Sequence, residues 1–318
     1  MLNLALHYFR QLTHSVDYPT VDELSVEQVR KNVKKLAAMA GMPPSQLADV
    51  FHLSIPTEGG NAIRLRVYRP DGVPQPSPAL VWFHGGGFVL YDIDDYDGWC
   101  IFLAKEAAIS VISVDYRLAP EHKFPAAHND ADHALKWIGE HASELLIDPQ
   151  RLAVGGDSAG GNLAATVAVR TAVHHVKVAF QLLVYPALTF GKTNLSYQLY
   201  GKGYWLDAST MEWFQSQFLD PNRNDKDDPR LHPLYIKKPG EAPPTILAIA
   251  ENDILRDEAI AYDQMLNDHG VLSRLLYFGD LGHNFLLMAG RIQSAKEALF
   301  RIAAEVRRKF NQTNTRRI

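Results

Sequence analysis

The sequence predicts an α/β fold in which helices cover a mostly parallel sheet. From residue 79 onward, short apolar segments alternate with segments of helical periodicity. Each short segment is apolar on both faces and rich in Val, Ile, Leu or aromatic residues, as in a strand that helices bury from both sides. With 318 residues, of which 47% are hydrophobic and 21% charged, the chain is long enough for one large core with additions.

The chain before this alternation predicts a helix and then a hairpin. Ser25 and Gln28 have the spacing of a capping box, and apolar residues follow at helical spacing. Residues 51–55 and 63–68 then alternate in polarity on either side of a Gly-rich turn at 58–61. This pattern predicts two paired strands ahead of the main sheet.

The remaining elements follow in a regular order. We expect strands at 79–83, 109–114, 152–154, 178–184, 245–250 and 274–278, and helices at 96–107, 126–142, 159–172, 257–269 and 291–309. In open sheets of this kind, ligands bind beyond the carboxyl ends of the strands. Candidate site residues are therefore those that directly follow a predicted strand.

One stretch, residues 189–240, interrupts the alternation. It is rich in aromatic residues and contains a helix that we expect to start at Asp207. The aromatic side chains either line a pocket or form a small core under a long insertion. Tyr204, Trp205 and Phe214 are the candidates for substrate contact.

Charge and cysteine content disfavour several functional classes. Lys and Arg number 32 and Asp and Glu 36, so the net charge of −4 provides no basic surface for nucleic acid. The single cysteine, Cys100, cannot form an internal disulfide and lies in an apolar helical segment, where we expect a buried and non-catalytic thiol. We expect a cytoplasmic protein with no signal peptide and no membrane span.

The strongest local signal is the sequence Gly-Asp-Ser-Ala-Gly at residues 156–160. It directly follows a predicted strand and precedes an Ala-rich helix, which is the context of the Gly-x-Ser-x-Gly nucleophile elbow. Small residues permit the sharp turn that exposes Ser158 above the sheet. The alternative is a Gly-rich turn with a capping serine. A phosphate-binding loop is disfavoured, because Gly161 and Asn162 stand where it needs Lys and Ser or Thr.

A second signal is His84 followed by three glycines, directly after the strand predicted at 79–83. Consecutive glycines let backbone N–H groups approach a developing oxyanion. We expect two of these glycine N–H groups, with the Ala159 N–H, to form a three-donor oxyanion hole. Three glycines alone more often mark a loop, but beside a serine elbow they match the second half of an esterase oxyanion hole.

A serine nucleophile needs a base, and the base needs an orienting acid. His283 and Asp253 each follow a predicted strand, and the chain order Ser158, Asp253, His283 is that of the α/β hydrolases. Asp257 is the rival acid, although its place at a helix start also suits a carboxylate structurally. The competing histidines, which we expect to be structural or at the surface, are His122, His128, His174, His175 and His232.

The sequence predicts neither a metal site nor a cofactor. It contains no His-Glu-x-x-His motif, no cysteine pair and no cluster of histidines and carboxylates at metal-binding spacing. Acyl transfer by a serine needs no cofactor.

Taken together, these motifs resemble the hormone-sensitive-lipase-like carboxylesterases, the bacterial family IV esterases, in their Gly-Asp-Ser-Ala-Gly branch. The segments that carry the resemblance are 84–87, 115–122, 124–127, 156–164, 253–258 and 282–285. The resemblance implies an α/β-hydrolase fold of about eight strands, with N-terminal cap helices at 1–45 and a catalytic domain at 46–318. A cap insertion at about 189–240 is implied as well. Asn284 stands where the family commonly has glycine.

The resemblance also implies a function. It makes Ser158 the nucleophile, His283 the base and Asp253 the orienting acid in the hydrolysis of short-to-medium-chain acyl esters. It also makes Gly86, Gly87 and Ala159 the oxyanion donors, with Gly85 a further candidate. A non-catalytic small-molecule receptor on the same fold stays open as an alternative, although such relatives typically lack the histidine. An amide hydrolase or an acyltransferase would use the same triad. Dimers are familiar in the family, so the resemblance leaves a homodimer open by analogy.

Overall fold

The computed structural model describes residues 21–315 except 48, 58–59, 61, 171–172, 174, 192–193 and 224. Residues 1–20 of the expected cap, most of the turn at 58–61 and His174 therefore lie outside the described residues. The strands are β1 (Asp49–Pro56), β2 (Ala62–Arg69), β3 (Ser77–Phe83), β4 (Ser110–Asp115), β5 (Ile147–Asp157), β6 (Gln181–Val184), β7 (Thr245–Asn252) and β8 (Ser273–Gly282). They form one sheet in the order β1-β2-β4-β3-β5-β6-β7-β8.

The helices of the described residues occupy the predicted intervals between the strands. They are α1 (Val26–Ala40), α2 (Asp97–Ala107), α3 (Ala126–Glu140), α4 (Ala159–Ala168), α5 (Leu195–Tyr200), α6 (Ala208–Phe218), α7 (Arg256–Asp268) and α8 (Gln293–Thr315). Short 3₁₀ turns lie at Pro229–Leu231, Pro233–Tyr235, Pro239–Glu241 and Phe285–Met288. The predicted fold class is confirmed, as helices flank a mostly parallel sheet.

Pairing within the sheet places the candidate residues at one edge. β1 and β2 form the antiparallel hairpin, and β2 is also antiparallel to β4. All pairs from β4 through β3 to β8 are parallel. The carboxyl ends of these strands therefore lie together, and Ser158, Asp253 and His283 each directly follow one of them.

The apolar strands are buried because each contributes side chains to two cores. In β3, Val81 and Phe83 belong to the core that includes α3, α4 and α7. Leu80 and Trp82 belong to the other core, beneath α2 and α8. Cys100 is buried in this second core, as expected from its apolar neighbours.

Helix α1 begins where the capping box predicts. The Gln28 N–H donates to Ser25 Oγ at 3.2 Å, and the Ser25 N–H donates to Gln28 Oε1 at 2.9 Å. Helix α1 is fastened to the rest of the chain through Arg30, which donates to the carbonyls of Val89 and Ala119 at 2.9 Å each. The division into a cap at 1–45 and a catalytic domain stays a prediction.

Some predicted bounds differ from those observed. Strand β5 starts at Ile147, earlier than expected, because Ile147 already pairs with Ser77 of β3, ahead of the exposed Pro149 and Gln150. Strand β8 continues to Gly282, so His283 follows the strand immediately. Across the described ranges, no helix is both long enough and apolar enough to cross a lipid bilayer.

Candidate active site

Ser158 lies on a sharp turn between β5 and α4. Its backbone has φ 53° and ψ −119°, a strained combination that β-branched or bulky residues rarely adopt. The Ser158 N–H donates to the Val184 carbonyl at 2.9 Å, so the neighbouring strand holds the turn in place. The turn also needs glycine at position 160, where a Cβ would lie 2.0 Å from the carbonyl oxygen of Phe83. This is the geometry that the sequence predicts for a nucleophile elbow.

His283 and Asp253 lie beside Ser158 in the arrangement of a catalytic triad. His283 Nε2 is 3.1 Å from Ser158 Oγ, and His283 Nδ1 is 2.8 Å from Asp253 Oδ2. The other oxygen of Asp253 accepts the Leu255 N–H at 2.9 Å. A carboxylate at Nδ1 keeps the proton there and leaves the Nε2 lone pair facing the serine.

The rival acid, Asp257, lies elsewhere and has other partners. Its Oδ2 accepts the Ser196 N–H at 2.7 Å, and its Oδ1 accepts a hydrogen bond from Arg256 at 2.8 Å. Asp257 thereby ties the start of α5 to the start of α7. The structure brings Asp253, and not Asp257, to the histidine.

Two of the competing histidines have structural partners. His128 is buried in α3, with Nε2 2.9 Å from the side-chain oxygen of Asn162. His232 Nδ1 accepts the Phe190 N–H at 3.2 Å. Neither lies beside Ser158.

The glycine loop after β3 has the predicted shape for presenting backbone donors. Gly86 has φ 106° and Gly87 has φ 61°, a region that favours glycine. In the part of the chain that the structure describes, no hydrogen bond occupies the N–H groups of these two residues. The Gly85 N–H, by contrast, donates to the Tyr96 hydroxyl at 3.1 Å. The structure therefore leaves two of the three glycine donors available.

His84 has a structural place in this loop. Its carbonyl accepts the Tyr116 hydroxyl at 2.7 Å, and its ring stacks on the Tyr116 ring at 4.4 Å. Burial lowers the pKa of His84, so its imidazole is held neutral.

A cavity of about 250 Å³ opens onto Ser158. Trp205 and Phe214 lie in its wall, but Tyr204 does not. The Tyr204 ring instead meets the Tyr200 ring edge-on at 4.9 Å, so the structure places it outside this wall and its expected substrate contact stays a prediction. Other wall residues, which the sequence did not single out for this role, are Val21, Val29, Val33, Leu36, Tyr91, Met211, Trp213, Leu255 and Asn284.

The wall residues of α1 had a visible signal in the sequence. Val29 and Val33 are the apolar residues at helical spacing that predicted the helix itself. Their spacing indicates a buried face but not what that face covers. Asn284 adopts φ 64°, a left-handed conformation that asparagine tolerates, so it fits where glycine is common.

Two buried acids near the site were also missed. Burial raises the pKa of Asp157, directly before the nucleophile, to about 7. Burial likewise raises the pKa of Glu258 to about 7, and its two oxygens accept the Leu188 N–H and the Thr189 hydroxyl at 2.6 Å each. Only the tertiary structure buries these carboxyls.

Among the residues with a described position, no group of three His, Cys, Asp or Glu could hold a metal ion.

Comparisons with known proteins show the same fold and the class of enzyme. A family model described as the α/β-hydrolase fold matches residues 80–287. The ethyl acetate hydrolase of Pseudomonas putida is 37% identical over 283 residues, which cover 87% of this chain and 88% of that protein. The carboxylic ester hydrolase LipN of Mycobacterium tuberculosis is 41% identical over 275 residues, covering 84% of this chain and 73% of LipN.

A solved structure is similar over nearly the whole length. It is an ester-hydrolase from the metagenome of Lake Arreo, complexed with a derivative of bipyridine phosphonate. Its TM-score is 0.93 at 33% identity, and the match covers 98% of this chain and 100% of that one. The chain belongs to the α/β-hydrolase fold family and, within it, to the hormone-sensitive-lipase-like carboxylesterases.

Proposed function

We propose that this protein hydrolyses short-to-medium-chain acyl esters through an acyl-enzyme formed on Ser158. The observation that carries the proposal is the line of contacts from Ser158 Oγ to His283 Nε2 at 3.1 Å and from His283 Nδ1 to Asp253 Oδ2 at 2.8 Å. A hydroxyl, a base and an orienting carboxylate in this order are what nucleophilic acyl transfer requires. The similar proteins from Pseudomonas putida and Mycobacterium tuberculosis are named as ester hydrolases, which supports the substrate class.

The mechanism follows from these positions. Ser158 Oγ attacks the ester carbonyl carbon while His283 Nε2 accepts its proton, and Asp253 stabilises the imidazolium that forms. The carbonyl oxygen becomes an oxyanion that accepts hydrogen bonds from the N–H groups of Gly86, Gly87 and Ala159. His283 then protonates the departing alcohol. Water attacks the acyl-enzyme by the same route, which releases the acid and restores the serine.

The alternatives have less support. A non-catalytic receptor has no use for a histidine placed between a serine and a buried carboxylate. No observation among the described residues favours an amide substrate or transfer to an acceptor other than water. A cytoplasmic location and a homodimer stay predictions of the sequence and the family resemblance.

Turnover of p-nitrophenyl esters of increasing acyl length, by the native protein and by Ser158→Ala, tests the proposal. We expect the native protein to release p-nitrophenol rapidly from short esters, and Ser158→Ala to lose at least about a thousandfold in kcat. Circular dichroism of both proteins is the control for folding. A folded native protein that turns over no ester would favour the receptor, and an active Ser158→Ala would mean that the nucleophile lies elsewhere.

A further inference from the structure

A chain of buried hydrogen bonds joins the glycine loop to the nucleophile elbow. The Gly85 N–H donates to Tyr96 Oη at 3.1 Å, and the Tyr96 hydroxyl donates to Asp157 Oδ2 at 2.8 Å. Tyr96 is fully buried and Asp157 is 1% exposed. Because Asp157 is bonded directly to Ser158, these hydrogen bonds connect the two halves of the proposed oxyanion hole.

The two halves are also in direct contact. A Cβ on Gly85 would lie 2.5 Å from Asp157 Oδ2 and 3.0 Å from the Asp157 carbonyl oxygen. The backbone of Gly85 therefore lies against Asp157 with no room for a side chain between them. The separation of the glycine loop from the elbow is fixed at this point.

This separation matters for catalysis. Backbone donors stabilise an oxyanion only when they converge on one oxygen at about 2.7 to 3.1 Å. Gly86 and Gly87 belong to the loop after β3, whereas Ala159 begins α4. Their convergence therefore depends on a contact that holds one segment against the other. The Gly85 N–H, engaged by Tyr96, stabilises the loop without serving in the hole itself.

We propose that Tyr96 and Asp157 are positioning residues, which hold the glycine loop against the elbow so that the N–H groups of Gly86, Gly87 and Ala159 meet at one oxygen. This inference rests on the proposed esterase function. Neither side chain touches the reacting atoms. They act through the backbone of Gly85 and through the turn that carries Ser158.

The surroundings of Asp157 make a charged carboxylate costly. The side chain is 1% exposed, and this burial raises its pKa to about 7. The Tyr96 hydroxyl donates to Asp157 Oδ2 at 2.8 Å. The positioning contact needs only an oxygen that accepts this hydrogen bond. An amide should therefore replace the Asp157 carboxyl without loss of function, because its oxygen accepts in the same way.

The first test removes only the central hydroxyl. Tyr96→Phe keeps the ring that packs against His84 at 5.7 Å and Tyr91 at 6.0 Å. We expect kcat for a short p-nitrophenyl ester to fall about tenfold with KM within about twofold, since the loss falls on the transition state. Affinity for an alkylboronic acid, which forms a tetrahedral adduct on the serine, should fall by the same factor. The control is Tyr262→Phe, which removes another fully buried hydroxyl, one hydrogen-bonded to Gln181 at 3.2 Å, and should leave both quantities unchanged.

The second test uses Asp157, so that the proposal can be tested even if Tyr96→Phe does not fold. Asp157→Ala should lose about tenfold in kcat, whereas Asp157→Asn should keep kcat, because its amide oxygen still accepts the Tyr96 hydroxyl. The double variant Tyr96→Phe with Asp157→Ala should lose no more than either single variant, since both break the same contact.

Several results would overturn the proposal. These are an unchanged kcat in Tyr96→Phe, an equal loss in Tyr262→Phe, a loss of kcat without a loss of boronic acid affinity, or additive losses in the double variant. Failure of the proposed function would be seen in the native protein, as an absence of turnover. Failure of the positioning role would be seen only in the variants, against an active native protein.

Discussion

Asp253 and Asp257 illustrate how position decides the role of a carboxylate. They are four residues apart, but Asp253 directly follows β7 and is 1% exposed, whereas Asp257 lies in the first turn of α7. The end of the strand directs Asp253 towards His283, and the helix start directs Asp257 towards Ser196. The two aspartates therefore differ in their contacts: Asp253 contacts the histidine beside Ser158, and Asp257 holds the start of α5.

Exchange of each acid for its amide separates these tasks. Asp253→Asn should lower kcat by about a thousandfold or more, because an amide that donates to Nδ1 selects the wrong imidazole tautomer. Asp257→Asn, the matched control, should stay within about threefold of the native kcat, since an amide oxygen can still accept the Ser196 N–H. The measurement is kcat on a short p-nitrophenyl ester. Equal losses in the two variants would contradict the assignment of the orienting acid.

At the scale of elements, the segment after β6 depends on one buried glutamate of α7. Glu258 accepts the Leu188 N–H and the Thr189 hydroxyl at 2.6 Å each, at the point where the chain leaves β6 for the insertion. Glu258 is 5% exposed. A carboxylate charge in this place is costly because burial removes its hydration.

This burial gives the stability of the fold a dependence on pH. Burial raises the pKa of Glu258 from 4.5 to about 7, so the folded state binds the proton more tightly than the unfolded state does. The protonated Glu258 carboxyl stabilises the folded state fully below pH 4.5, and this contribution is lost as the pH rises through 7. Its full size corresponds to about 3 kcal/mol in the free energy of unfolding.

Glu258→Gln removes this dependence, since its amide oxygen can accept the Leu188 N–H and its NH2 group can donate to the Thr189 hydroxyl oxygen. We expect the Tm of the variant relative to the native protein to rise by several degrees between pH 5 and pH 8, because only the native protein loses stability through this group. The control is Glu241→Gln, an exposed site whose relative Tm should be the same at both pH values. A relative Tm of Glu258→Gln that stays constant, or falls towards pH 8, would show that Glu258 is not held protonated.

At the scale of the whole molecule, distant parts of the chain form the substrate cavity. Val29 and Val33 come from α1, the glycines from the loop after β3, and Phe214 from α6 in the insertion. Phe214 packs directly on the glycine loop, since a Cβ on Gly87 would lie 2.2 Å from its ring. The segment that carries Phe214 therefore limits the space beside Ser158.

The acyl-length preference should respond to this ring. Phe214→Ala enlarges the cavity, so kcat/KM should rise for longer acyl chains, by about fourfold for each further methylene that becomes buried. Tyr204→Ala is the control, because Tyr204 lies outside the cavity wall and its loss should leave the preference unchanged. The measurement is kcat/KM across p-nitrophenyl esters of increasing length. A shift in Tyr204→Ala and none in Phe214→Ala would restore the sequence-based expectation for Tyr204.

Local patterns were enough to predict the fold class and the proposed triad. The alternation of apolar strands and helices is periodic along the chain, and Ser158, Asp253 and His283 each follow a strand that the pattern reveals. In a parallel sheet the carboxyl ends of the strands meet at one edge, so sequence order alone indicated their proximity. Strand ends were less predictable, as with β5 and β8, because pairing partners decide where a strand stops.

Contacts between segments could not be predicted in the same way. The sequence by itself determined that Ser158, Asp253 and His283 each follow a strand, that a sharp turn carries Ser158 and that helix α1 begins at a capping box. Each of these features depends on near neighbours in the chain. Only the tertiary structure decided that Gly85 is engaged by Tyr96, that Tyr204 packs on Tyr200 outside the cavity wall and that Asp157 and Glu258 are buried. The physical reason is that hydrogen-bond partners and burial are set by packing between distant segments, and no local periodicity records that packing.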